Sequence, residues 1–80
     1  STQMKELLIS IAQGLVDDPS AVSVTEDAPN EEGTVVYHLH VSESDMGRVI
    51  GKQGRIAKAI RTVMRAAATR RDSRVVVEID

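Results

Sequence analysis

Apolar positions along the chain follow two different periods in a fixed order. Met4, Leu7, Leu8, Ile11, Ala12, Leu15 and Val16 recur every three or four residues, the stripe of an amphipathic helix. Asp17-Asp18-Pro19 stops it, because the residue before a proline is pushed out of helical conformation. Val22 and Val24 then alternate with Ser23 and Thr25, which predicts a short strand. The polar run Glu26 to Gly33 reads as a hairpin loop. Thr34 to Val41 is a clearer strand, with Val35, Tyr37, Leu39 and Val41 on one face and Val36, His38 and His40 on the other.

The helical period returns after residue 41. Ser42 can cap a short helix reaching Ile50, with Glu43 and Asp45 in its first turn and Met46, Val49 and Ile50 as its inner face. Gly54 to about Arg70 predicts a long helix. Ile56, Ile60, Val63, Met64 and Ala67 fall on its apolar side, and Arg55, Lys58, Arg61 and Arg65 on the other. Asp72-Ser73 ends it. Arg74 to Ile79 is a last strand with Val75, Val77 and Ile79 inward, leaving Val36 and Val76 on the outer side of the sheet. The order α-β-β-α-α-β predicts an α+β fold, one three-stranded sheet with helices packed on one face. Residues 1–80 read as a single domain with a modest core.

Gly51-Lys52-Gln53-Gly54 joins the two predicted helices. Glycine permits a tight turn and close approach of another chain. The helix that follows opens with unpaired N–H groups and a partial positive charge, an arrangement that suits a phosphate. Lys52 and Arg55 add full charges, so the stretch reads as a clamp for a polyanion backbone. A basic helix side such as Arg55, Lys58, Arg61 and Arg65 also suits a merely solvated face. Arg61 and Arg65, further along, read as steering charges.

Charge distribution changes the picture that net charge gives. The formal net charge is −2. Residues 1–42, however, hold one base, Lys5, against seven acids, while residues 43–74 hold nine bases against three acids. A chain so polarised can present a basic face despite an acidic total. The basic block contains the glycine turn.

The run Val49-Ile50-Gly51-Lys52-Gln53-Gly54-Arg55-Ile56-Ala57 resembles the KH-domain signature Val-Ile-Gly-x-x-Gly-x-x-Ile. It departs at Ala57, where isoleucine is expected, with Ile56 one residue early. The KH GXXG loop clamps four backbone nucleotides. The element order is similar to the type II, or prokaryotic, KH arrangement, so the resemblance covers nearly the whole chain. Arg48 to Val63 is similar to the central run of the small stand-alone bacterial KhpA-type (YlqC) family.

That resemblance implies single-stranded RNA binding by Ile50, Gly51, Lys52, Gln53, Gly54, Arg55, Ile56, Lys58 and Arg61. The amides around Gly51 and Gly54 would hold the sugar–phosphate backbone, and Ile50, Ile56 and Ile60 would line an apolar groove. It further implies a cytoplasmic RNA chaperone in post-transcriptional regulation, a homodimer, and a heteromer with a larger KhpB/Jag-type KH protein. Links to cell elongation and peptidoglycan homeostasis follow from the same likeness. The chain has no Phe or Trp and its one Tyr is predicted inward. Base stacking on aromatics, worth roughly 1–3 kcal/mol per base elsewhere, is therefore largely lacking, which predicts weak, sequence-tolerant, salt-sensitive binding.

Other chemistries find little support. There is no cysteine, hence no disulfide, thiolate or Cys-based zinc site. His38 and His40 share a strand face with no third ligand near them in sequence, so they read as exposed sheet surface. Asp17-Asp18 reads as a helix stop. Gly47-x-x-x-Gly51 lacks the Gly-Lys-Ser/Thr ending of a P-loop. No cofactor, metal, small-molecule substrate or enzyme activity is expected. No apolar run approaches membrane-spanning length, and Lys5 and Glu6 in the first helix argue against a secretory signal. A protein-interaction module built on the same fold is the alternative, its acidic half facing a basic partner.

Overall fold

The first apolar stripe becomes α1, Thr2–Leu15, in a computed structural model that describes residues 2–80. Met4, Leu8 and Ala12 are fully buried along it, with Leu7, Ile11 and Leu15 at its flanks. A 3-10 turn at Pro19–Ala21 leads into β1, Ser23–Glu26, and the loop returns the chain as β2, Thr34–His40. Then come α2 (Glu43–Ile50), α3 (Arg55–Arg70) and β3 (Arg74–Ile79). Each lies within a residue or two of its predicted place.

The sheet has the order β1-β2-β3. β1 and β2 pair antiparallel, Val24 opposite Leu39, as a hairpin permits. β2 and β3 pair parallel, Tyr37 opposite Val77, because the two intervening helices supply the crossover that parallel strands require. Tyr37, Leu39, Val24 and Val77 face the helices and are buried; Val76, opposite Val36, is exposed on the bare side. Both strand faces therefore follow the alternation of the sequence.

Two expectations about the helices need correction. Val63 is exposed and not on the inner side of α3, and the buried row is Ala57, Ile60, Met64 and Ala68. That row keeps helical spacing but is rotated from the one centred on the larger residues. The two alanines let α3 sit close to its neighbours, and the pattern of large apolar side chains could not show this. Ile50, expected on the inner face of α2, is 54 % exposed. Val49 is buried there with Met46 packed beside it, while Ile50, the last residue of α2, faces solvent.

Candidate nucleic-acid interface

The two glycines of the turn serve different physical needs. Gly51 is extended at φ −75°, ψ −178°, so conformation does not demand glycine there. A Cβ at Gly51 would stand 2.3 Å from the Gly47 carbonyl oxygen, so space does. Gly54 has φ 68°, the left-handed region, with open space around it. Lys52 (φ 49°) and Gln53 (φ 64°) are left-handed too, an uncommon state for residues with a Cβ. Three successive left-handed residues reverse the chain sharply and hold the Lys52 and Gln53 side chains in solvent.

The amide assignment changes with these bonds. The Gly51 N–H donates to the Gly47 carbonyl and the Gly54 N–H to the Gly51 carbonyl, so both are engaged within the turn. Among the described residues, the Lys52 and Gln53 amides take no part in the backbone bonds of the turn. No side chain caps the start of α3. The turn thus offers its two central amides and the first-turn amides of α3, and not those of the glycines.

Around this point the sequence-predicted residues divide. Lys52, Gln53, Arg55 and Lys58 are exposed and contiguous with the turn, and Ile50 flanks it at the end of α2. Ile56 is half-buried against the core. Ile60 is 1 % exposed and belongs to the core, so it cannot line a groove. Arg61 is exposed, but its Nε–H donates to the Val77 carbonyl at 3.1 Å, which ties it to β3.

Two contributions were only partly legible in the sequence. Arg65, expected on the basic side of the long helix, joins Arg61 and Val75 to Val77 in walling a small cleft between α3 and β3; which strand supplies that wall is decided by the strand pairing. Asp45 is a first-turn acid of α2, as expected, but it is buried, 2 % exposed. Its carboxylate accepts the Asp17 and Asp18 amides, each at 3.0 Å, and the Ser42 hydroxyl at 2.8 Å. The Asp17 amide, with help from Ser42, Asp18 and the Arg48 charge, holds the Asp45 carboxyl below its ordinary range against the opposing effect of burial. Arg48 adds a 2.7 Å contact to Asp17. α2, only eight residues long, is thereby pinned to the end of α1 close to the turn it feeds. Ser42-x-x-Asp45 was the legible signal, since Ser42 also accepts the Asp45 amide as a helix cap.

On the far sheet face His38 Nε2 lies 2.9 Å from Asp27 and its Nδ1 3.8 Å from Glu78. The bond to Asp27 raises its pKa above the ordinary histidine value. Carboxylates distant in sequence thus reach it, yet among the described residues no group of three His, Cys, Asp or Glu side chains could hold a metal ion.

The family described as KhpA/KhpB, KH domain, matches residues 5–79. The chain belongs to that family. Relatives named RNA-binding protein KhpA include those of Clostridium acetobutylicum, 57 % identical over 95 % of this chain and 99 % of the relative, and Listeria monocytogenes, 52 % identical over 95 % and 97 %. A KhpA of Treponema pallidum is 45 % identical over 98 % of this chain and 95 % of its own. These relatives are named as binding proteins and not as enzymes. Among solved structures, Era in complex with MgGDPNP and a fragment of 16S ribosomal RNA superposes at a TM-score of 0.64 with 20 % identity. The match covers 95 % of this chain and 28 % of the Era chain, and at that identity it shows the fold alone. No helix among the described residues is long and apolar enough to cross a membrane.

Proposed function

We propose that this chain binds single-stranded RNA, with the turn at Gly51–Gly54 gripping the sugar–phosphate backbone. One observation carries the reading: the left-handed turn is open to solvent and continuous with Lys52, Arg55, Lys58 and the uncapped start of α3. The Lys52 and Gln53 amides and those of the first turn of α3 would meet phosphate oxygens. Ile50 and the exposed edge of Ile56 would support bases beside the turn, and Arg61 would contact the strand further along. Lacking an aromatic platform, a single domain would bind weakly, and linked binding by a second copy would raise the affinity.

The names of the relatives support RNA binding, and the KhpA-type resemblance extends the proposal to an RNA chaperone in the cytoplasm, acting in post-transcriptional regulation. It would work as a homodimer or with a larger KhpB/Jag-type KH protein, in a pathway linked to cell elongation and peptidoglycan homeostasis.

The test is a Lys52→Asp, Gln53→Asp double variant titrated against a labelled single-stranded RNA. Aspartate tolerates left-handed backbone better than most residues, so the circular dichroism spectrum should hold. Affinity should fall at least tenfold, roughly the effect of reversing one phosphate contact and losing another. Unchanged affinity sinks the proposal. Ile50 and Val63, both large, apolar and exposed, favour a second reading as a protein-docking module. In that case the variant would keep its partners and RNA would not bind at any salt concentration.

A further inference from the structure

If the chain binds single-stranded RNA as proposed, the turn accounts for grip on the backbone but for no reading of bases. The cleft between α3 and β3 has the means for that. It holds about 110 Å³ and is lined by Arg61, Met64, Arg65, Val75, Val76 and Val77. β3 is an edge strand, so the main-chain groups on its free side are open to a ligand. The Val77 carbonyl is the exception, because the Arg61 Nε–H already occupies it.

That bond has two chemical consequences. It removes an acceptor that an incoming amino group would use. It also fixes the guanidinium plane while leaving the Arg61 Nη N–H groups without a protein acceptor among the described residues. The lining side chains are two guanidinium groups, a thioether and three valines, with no carboxylate, amide or hydroxyl oxygen. The strong polar side-chain groups of the cleft are therefore all donors.

Guanine offers O6 and N7 as adjacent acceptors, the pair an arginine fork fits, whereas adenine offers N7 beside an N6 amino donor. An adenine amino group set against the Arg61 fork would face other donors there, and no side-chain oxygen of the cleft would replace its water partner. In a single strand this edge is free to be read. Arg61 lies about 10 Å along α3 from Gly54, at 1.5 Å per residue, so a strand gripped at the turn can pass the cleft. We propose that Arg61 is a specificity-determining residue that selects guanine over adenine in the bound RNA strand.

Fluorescence anisotropy with labelled heptamers of uridine, the central base replaced by guanine, adenine, inosine or 7-deazaguanine, tests this. Guanine and inosine, which share O6 and N7, should bind about tenfold tighter than adenine, and 7-deazaguanine close to adenine. Arg61→Gln should bring the guanine-to-adenine ratio near one. Arg61→Lys, which keeps the charge and loses the fork, should also weaken the preference, at a thermal midpoint shown to be unchanged. Lys52→Asp with Gln53→Asp should lower affinity for every heptamer and leave the ratio intact. Equal binding of guanine and adenine by the unaltered chain overturns the assignment, as does a preference that survives both Arg61 variants; in either case RNA binding itself stands. Failure of every heptamer to bind overturns both readings.

Discussion

At the scale of single residues, glycine carries three separate meanings in one chain, and the same substitution should give three results. Gly51→Ala sets a Cβ against the Gly47 carbonyl oxygen, which a shift of the backbone of α2 or of the turn must relieve; a loss of about 1–3 kcal/mol, typical of overpacking, is expected. Gly54→Ala meets no atom but holds an L-residue at φ 68°, at a cost of about 1–2 kcal/mol. Gly14→Ala sits in α1 with open space around it and should add about 0.5–1 kcal/mol. Urea midpoints of the three variants check the order. A stabilised Gly51→Ala would show that the approach of Gly47 to Gly51 is not tight. The same scale separates Lys52 and Gln53 from ordinary surface residues. They hold left-handed backbone at some cost in stability, and such strain persists where surrounding structure imposes it, often at functional positions.

Among the elements, α2 shows how a short helix is held. Alone, eight residues form no stable helix in water. Its cap at Ser42, its buried Val49 and the Asp45 clamp to the Asp17 and Asp18 amides supply what length does not. Because the Asp45 pKa is lowered from 3.8 in the fold, its contribution is present above that value. It is lost as pH falls through the lower folded value. Chemical denaturation between pH 2 and 7 should therefore show stability falling at the acid end. Asp45→Asn should be less stable at neutral pH and should lose part of that acid dependence. An Asp45→Asn chain with the same acid limb would remove the clamp from the account. α3 shows the other half of the lesson. Its cationic side was legible from spacing, but its rotation was not, since Ala57 and Ala68 are buried and Val63 is exposed.

For the whole molecule, charge is sorted by position in the chain: acids dominate before residue 43 and bases from there to Arg74. The turn and the exposed Lys58 lie within the basic block. Binding of a single strand should weaken with salt, with a slope of about −0.7 in log K against log salt for each phosphate neutralised. Lys58→Gln should shallow that slope by about 0.7 while changing stability little. A slope identical to that of the unaltered chain would place Lys58 outside the contact.

Local rules carried the sequence reading far. Period, capping and alternation are properties of neighbours along the chain, so the six main elements, the inward strand faces, the cap at Ser42 and the turn at Gly51–Gly54 were all readable in advance. The tertiary structure decided what depends on residues brought together from afar. It paired β2 with β3 and so built the cleft. It sent the Asp45 carboxylate to amides 27 and 28 residues away, and placed Arg61 on the Val77 carbonyl. It also turned α3 onto its alanines. The physical reason is that a side chain's partner is set by packing in three dimensions, whereas its helix or strand is set largely by the residues beside it.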